Sequence, residues 1–349
     1  MKNPATNMEK VTIGIVNFNG MNSLPATLHS IEKLDYPSYE VVVVDNHSTD
    51  GSREWVQTHF QDVRCIALDA NLGSAAARNM IFEQATTDYV FTLDNDIVVE
   101  PETLTRLMEV MKDVPHAGVC HPEIRDENDP FVYHYNGGWV HYMCTAISRG
   151  NPHALVNRAK YEIFDVVSGA ALLVDRKAAA HVGYFDADYF FNMEDGDFTA
   201  RLTLAGYLCL NVPGSVVHHR SKQHGTSRFF YQVRNRWFFI LKLFSWRTLL
   251  LASPMFFVFE LSQALFCLIQ GGGKDYLKGN IAVVRQLSSI LAKRKVFQPL
   301  KIKRDRDWLY SSDIYVPDSL LKGRPLMGFL KKLYVGFFNG YWKFIRPFC

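Results

Sequence analysis

An open, mostly parallel α/β sheet flanked by helices, followed by a helical, apolar C-terminal region, is the fold this sequence predicts. Four times between Val11 and Met111 a short strand-like run gives way to a polar loop and then to apolar residues at helical spacing. Two of those runs end in acidic residues, Asp45 and Asp94-Asn95-Asp96. Past residue 228 the alternation stops and long apolar stretches take over. Four βα units in series imply right-handed crossovers and a mainly parallel sheet, and ligands of such sheets sit outside the carboxyl ends of the strands.

The elements follow in order. Val11 to Phe18 is a β-branched run; Asn19-Gly20 turns it, and Leu24, Leu28, Ile31 and Leu34 lie at helical spacing, with Pro25 suited to a first helical turn. Tyr39 to Val44 is the continuous apolar run of a strand buried on both faces. It ends in Asp45-Asn46-His47-Ser48-Thr49-Asp50-Gly51-Ser52, a polar loop with cap candidates for the helix carrying Trp55, Val56 and Phe60. Val63 to Leu68 reads as a third strand, and Asn71-Leu72-Gly73-Ser74 opens an alanine-rich helix containing Arg78 and Asn79. Tyr89 to Leu93 leads into Asp94-Asn95-Asp96, and Pro101 starts a helix with Leu104, Leu107, Met108 and Met111 inward. From Cys120 to Arg158 the pattern predicts irregular structure or short hairpins. Val166 to Val174 is a further strand, and Phe185 to Asp197 brings an acidic cluster, Glu194, Asp195 and Asp197, to the start of a helix with Phe198, Leu202 and Leu204.

Composition narrows the function. With 349 residues the chain has room for one large α/β domain and an appended segment. The 38 basic and 35 acidic residues nearly balance at +3, so no general nucleic-acid footprint appears and no nucleic acid is expected as partner. Six scattered cysteines, with no C-x-x-C pair, read as reduced cytosolic thiols. Met1 to Lys10 has no apolar core, so no cleaved secretion signal is expected there.

The chemistry gathers at the strand ends. Alternation along a strand puts Asp94 and Asp96 on one face, about 7 Å apart, where a turn can converge both on a hard cation; a solvated acidic turn is the plainer alternative. Carboxylates at a helix N-terminus serve equally as caps, so the Glu194 cluster is open to both readings.

Taken in series, Ile15-Val16-Asn17-Phe18-Asn19-Gly20, Val43-Val44-Asp45-Asn46-His47-Ser48-Thr49-Asp50-Gly51, Asn71-Leu72-Gly73 with Arg78-Asn79, Asp94-Asn95-Asp96, Gly183-Tyr184-Phe185-Asp186, Glu194-Asp195 and Val217-His218-His219 resemble a family 2 glycosyltransferase of GT-A type. The likeness is to bacterial rhamnosyl- and galactofuranosyl-type transferases and covers roughly Val11 to Lys242. It implies a Rossmann-like GT-A catalytic domain over residues 1–228, with a nucleotide-binding half to about residue 100 and an acceptor half beyond it. It implies inverting transfer of a sugar from a nucleotide diphosphate donor to an acceptor hydroxyl. By that resemblance Asp45 hydrogen-bonds the pyrimidine base, and Asn17 and Arg78 line the nucleotide pocket. Asp96 binds Mn²⁺ or Mg²⁺, Asp94 contacts the ribose or the metal's water shell, and His218 completes the metal site, ahead of His219. Asp195 is the expected catalytic base, with Glu194 second and Asp197 third. The loop from Ser221 to Ser227, with Lys222, His224 and Gly225, is a candidate cover for the diphosphate or an ordinary solvated loop. Processive members carry Gln-x-x-Arg-Trp, whereas Gln232 and Arg236-Trp237 stand one residue too far apart, which favours non-processive addition. An imide-reading Asp45 favours UDP or dTDP donors, with dTDP-rhamnose suggested by the resemblance alone. A nucleotidyltransferase, or a catalytically silent nucleotide-binding protein on a similar fold, is the rival reading; Asn17-Phe18-Asn19-Gly20 lacks the Gly-rich basic loop of the former.

Residues 229–349 read as a helical, membrane-associated region. Thr248 to Gln270 is strongly apolar but holds Pro254, Glu260 and Gln263, and a mid-helix charge costs a spanning helix about 2.5–3.5 kcal/mol. Lys242 and Arg247 before it and Lys274 and Lys278 after it favour both ends on the cytoplasmic side, as in a membrane-lying or re-entrant pair; a soluble buried helix, a dimer helix and a span are the alternatives. Further on, Lys331-Lys332, Lys343 and Arg346 interleave with aromatic residues, as suits an anionic bilayer, while Gly328, Gly336 and Gly340 argue against one long helix there. Together these features predict a cytoplasmic enzyme, peripheral on the inner face of the cell membrane. It would use a nucleotide-sugar donor and a glycan or lipid-linked acceptor in surface-polysaccharide (O-antigen-type) assembly, with a homodimer left open.

Overall fold

The computed structural model describes residues 8–129, 137–148, 159–220, 228–314 and 325–349. The chain forms two compact units, Met1–Gly137 with Arg149–His224, and Gly138–Ser148 with Gly225–Cys349.

In the first unit the βα series runs β1 (Val11–Asn17), α1 (Leu24–Ile31), β2 (Tyr39–Asp45), α2 (Ser52–His59), β3 (Arg64–Ala67), α3 (Ser74–Gln84), β4 (Tyr89–Asp94), β5 (Ile97–Val99) and α4 (Thr103–Asp113). It continues through β6 (Ala117–Asp126), then β9 (Glu162–Phe164), β10 (Val166–Val167), β11 (Ala171–Asp175), α5 (Arg176–His181), α6 (Glu194–Leu204) and β12 (Leu208–His219), the strands β7 (Gly137–His141) and β8 (Ala146–Ser148) belonging to the second unit. One nine-stranded sheet has the order β3-β2-β1-β4-β11-β6-β12-β5, with β9 beside β12. The half from β3 to β4 is wholly parallel, as expected of the βα series. Ala171 of β11 pairs with Leu93, so that strand starts where β4 ends and must run antiparallel to it; beyond β4 the sheet is therefore mixed. Register sets Asn17 beside Asp45, and Val16 beside Asp94, which gathers three strand ends at one edge. The core beneath is the expected one, with Val11, Ile13, Ile15, Phe91 and Leu93 of the strands packed on Leu24, Leu28, Leu104 and Leu107.

The irregular stretch expected from Cys120 onward is wrong in its first part. Ala117–Asp126 is a ten-residue interior strand. Its polar residues hid the pattern, since His121 and Glu123 are buried and paired across the sheet or along the strand rather than solvated. Residues 130–136 and 149–158 lie outside the described part.

The second unit holds a small hairpin, β7 (Gly137–His141) and β8 (Ala146–Ser148), with β13 (Leu309–Tyr310) parallel to β7. Its helices are α7 (Arg228–Leu243), α8 (Trp246–Ile269), α9 (Gly273–Arg285), α10 (Leu287–Phe297), α11 (Asp305–Trp308) and α12 (Pro325–Ile345). The last carbonyls of α7 are taken up by Arg294, Gln298 and Lys301, which cap its C-terminus with cationic and amide donors. Pro254 removes a helical bond to the Leu250 carbonyl, and the Ser253 hydroxyl supplies a replacement at 2.8 Å, so α8 continues unbroken. The expectation that three glycines would break the last helix is also wrong. Around Gly328, Gly336 and Gly340 an added Cβ would meet nothing, and the helix is held by Phe338, Trp342 and Ile345 on its buried side.

Candidate active site

Asn17, at the end of β1, is fully buried and acts as a hub. Its amide donates to Asp45 Oδ1 at 2.8 Å and to Ser52 Oγ at 2.8 Å, and its Oδ1 accepts from Asn95 Nδ2 at 2.9 Å. Asp45, 1% exposed, also accepts the Ser48 amide at 3.0 Å. The two residues expected to face the nucleotide also tie β1, β2 and the Asp94 turn together. At the same edge Phe18, Asn19, His47, Thr49, Asp50 and Leu72 are exposed. A second amide pair went unremarked in the sequence: Asn46 donates to Asn71 Oδ1 at 2.9 Å and accepts from the Leu72 amide at 2.8 Å, joining the loop after β2 to the start of α3. Gly73 opens α3 at φ +85°, and a Cβ there would lie 2.3 Å from the Phe190 carbonyl, so the position needs glycine on both counts.

Arg78 does not line an open pocket either. At 3% side-chain exposure it donates to Asp94 Oδ1 at 2.6 Å, to Glu194 Oε1 at 3.1 Å and to the Gly169 carbonyl at 3.1 Å. Glu194 Oε1 also accepts the Ser74 hydroxyl at 2.5 Å. One guanidinium therefore joins the end of β4, the loop before β11 and the start of α6. Desolvation raises the pKa of Glu194, and the Asp195 charge adds to it, against the pull of Arg78 and Ser74. Desolvation likewise raises Asp94; Arg78 opposes this, while Asp96 and Asp195 reinforce it.

Asp195 differs from its neighbours in being half-buried and, among the described residues, fastened by amides, Gly169 N–H to Oδ2 and Gly196 N–H to Oδ1, both at 2.7 Å. A Cβ on Gly169 would come within 2.7 Å of the Asp195 Cβ, so this contact too requires glycine. Asp197, the third candidate base, is fully buried between Arg201 Nε at 2.8 Å and the Tyr189 hydroxyl at 3.0 Å. Its geometry is that of a structural ion pair.

At the end of β12 the two histidines point to opposite faces, as strand alternation requires. His219 Nε2 lies 3.3 Å from Asp96 Oδ1, whereas His218 Nε2 lies 3.0 Å from Glu100 Oε1. The structure thus places His219, not His218, beside Asp96. Burial pulls the His219 pKa down, but the hydrogen bond and charge of Asp96 outweigh it and the pKa is raised. The carboxylate suits Mn²⁺ or Mg²⁺, and the imidazole beside it adds a nitrogen donor that Mn²⁺ accepts more readily than Mg²⁺. Among the described residues no group of three His, Cys, Asp or Glu is placed to hold a metal. Such an ion would complete its shell from substrate oxygens and water. The loop carrying Lys222, His224 and Gly225 lies outside the described residues.

The family profile "Glycosyl transferase family 2" matches residues 12–183. N-acetylglucosaminyl-diphospho-decaprenol L-rhamnosyltransferase of Mycobacterium tuberculosis is 32% identical over 212 residues, which is 54% of this chain and 68% of that protein. The chain belongs to glycosyltransferase family 2 and is a glycosyltransferase, which sets the nucleotidyltransferase and silent-protein readings aside. Two solved structures share its fold. GalNAc-T7 with UDP, GalNAc and Mn²⁺ aligns at a TM-score of 0.52 and 18% identity over 62% of this chain, which spans only 44% of that one. Mannosyltransferase PcManGT from Pyrobaculum calidifontis, with GDP-Man and Mn²⁺, aligns at 0.50 and 17% identity, covering 84% of this chain and 83% of that one. These likenesses establish the GT-A fold. One neighbour carries a uridine and the other a guanosine nucleotide, so the fold leaves the base open.

Proposed function

We propose that this protein is an inverting, metal-dependent, non-processive transferase that moves a sugar from a UDP- or dTDP-linked donor, dTDP-rhamnose among them, onto a hydroxyl of a lipid-linked or surface-polysaccharide acceptor. The reading places it at the cytoplasmic face of the membrane. What carries it is Asp195, a half-buried carboxylate fixed by two amides at the sheet edge, in the electrostatic reach of Asp94. Each of its oxygens keeps a lone pair for a further donor. In the reaction the acceptor oxygen bonds to the anomeric carbon from the face opposite the diphosphate, the carbon–diphosphate bond breaks, and the hydroxyl proton passes to Asp195. Glu194 and Arg78 position this base rather than compete with it. Asn17 and Asp45 hold the loops that receive the nucleotide. Asp96 and His219 are the residues assigned to the cation, with Asp94 beside them. When bound, the cation would offset the negative charge that develops on the leaving diphosphate. The lipid-linked acceptor is supported by the name of the mycobacterial relative.

The test is calorimetric binding of UDP, dTDP and GDP, with and without Mn²⁺, to the wild type and to Asp96→Ala. Metal-dependent binding of UDP or dTDP that vanishes in the variant is expected. A folded sample that binds none of the three would overturn the reading.

A further inference from the structure

The near-neutral net charge conceals a division of the chain. Residues 228–349 carry 21 Lys and Arg against 6 Asp and Glu, while residues 1–227 carry 17 against 29. The same basic region leaves large apolar side chains exposed in rows. Along α8, Trp246, Leu250, Phe257, Leu261, Leu265 and Leu268 recur at steps of three, four and seven residues, which keeps them on one face, and Leu250 is 74% exposed. On α9, Leu277, Ile281 and Val284 form a second row, bordered by exposed Lys274, Lys278 and Arg285. On α12, Phe329, Leu333, Phe337 and Phe344 form a third, bordered by exposed Lys332 and Lys343.

The other side of α8 is already engaged. Thr248, Ala252, Phe256 and Phe259 are buried, and Glu260 pairs with Arg236 of α7 and accepts the Tyr276 hydroxyl of α9 at 2.6 Å. α12 runs antiparallel along it, with the Tyr341 hydroxyl on the Leu251 carbonyl at 2.8 Å and Tyr334 on Ser262 at 2.8 Å. At about 36 Å, from the 1.5 Å helical rise, α8 is long enough to cross a bilayer. Among the described residues it is the one helix both long and apolar enough to do so. Crossing would strip Glu260 of both partners and α12 of its hydrogen bonds to α8.

We infer that α8, α9 and α12 form a seat for an anionic bilayer, in which α8 lies in the plane of the interface with its outer row among the acyl chains and does not span. The inference rests on the proposed membrane-side localisation and gives it a surface and an orientation for one helix. Apolar rows bordered by lysine and arginine match the layered chemistry of an anionic leaflet. A second copy of this chain is the poorer occupant, because two such faces would set Lys274, Lys278, Arg285, Lys332 and Lys343 of each copy at one interface.

The experiment uses full-length protein with phosphatidylcholine vesicles, with and without 30% phosphatidylglycerol. Co-sedimentation with the anionic vesicles is expected, falling at least tenfold on neutral ones. Trp246 is the tryptophan exposed on α8, so acyl-brominated lipid should quench the wild type more than Trp246→Phe. The double variant Phe257→Glu/Leu261→Glu changes two exposed side chains and should lose binding at least tenfold with an unchanged circular-dichroism spectrum. Alkaline carbonate should release the bound wild type. Retention after carbonate would overturn the in-plane placement, and a soluble dimer that ignores vesicles but dissociates in the double variant would overturn the bilayer. Nucleotide binding measured on the same samples reports on the catalytic reading separately.

Discussion

Replacing Arg78 by methionine should weaken the first unit by about 3 kcal/mol at pH 7.5, and by clearly less at pH 5.5. Methionine keeps the apolar stem but leaves Glu194, Asp94 and the Gly169 carbonyl without their shared donor. Breaking a buried ion pair costs about 3–5 kcal/mol. The lower figure applies because the Asp94 side chain is 34% exposed and solvent screens part of its loss. The pH dependence follows from Glu194, whose pKa is already raised by burial. A carboxyl with a folded pKa above its unfolded value favours the fold while protonated, and that contribution is lost as pH rises through the folded pKa. Without Arg78 the folded pKa rises further, so the variant's deficit grows from acid toward neutral pH. The assay is native-state hydrogen exchange of peptides covering α3, β4 and α6, corrected for the intrinsic pH dependence of exchange. Opening should be about 10²-fold more frequent in the variant at pH 7.5. A change below about threefold, or one that is the same at both pH values, would refute the reasoning.

Gly169→Ala should push the Asp195 side chain out of place through the 2.7 Å approach of its new Cβ; kcat is expected to fall about 10-fold or more with the donor's KM nearly unchanged. Equal losses in both constants would point to general disruption. His219→Ala should raise the Mn²⁺ concentration needed for half-maximal activity, whereas His218→Ala should leave it nearly unchanged. Because Asp96 raises the His219 pKa, protonation competes with metal, and apparent Mn²⁺ affinity should increase with pH through that titration in the wild type but not in His219→Ala.

The parallel half of the sheet was legible because its strands carry little but apolar residues between strong punctuation: Asn19-Gly20, Asp50-Gly51 and Asn71-Leu72-Gly73 each fall in a real break between strand and helix. The acidic positions were legible as a set, and the charges of Asp96 and Asp195 both act on Asp94. What each does was not legible, since that depends on partners distant in sequence. Arg78 and Glu194 are 116 residues apart, and Asn17 and Asn95 are 78 apart. Which of the adjacent histidines lies beside Asp96 turned on strand phase, and phase could not be read through the irregular register of β12 between Val212 and Val216. Strand β6 was missed because burial of His121 and Glu123 is made tolerable by partners that no local pattern announces.

The proton transfer assigned to Asp195 is the central claim, and the most direct measurement sets turnover against donor binding in Asp195→Asn. Asparagine keeps the shape and can still accept the Gly169 amide, but it cannot take a proton. Turnover should fall about 10²- to 10⁴-fold while nucleotide affinity stays within about twofold of wild type. Turnover that survives the substitution, or donor affinity that collapses with it, would contradict the account.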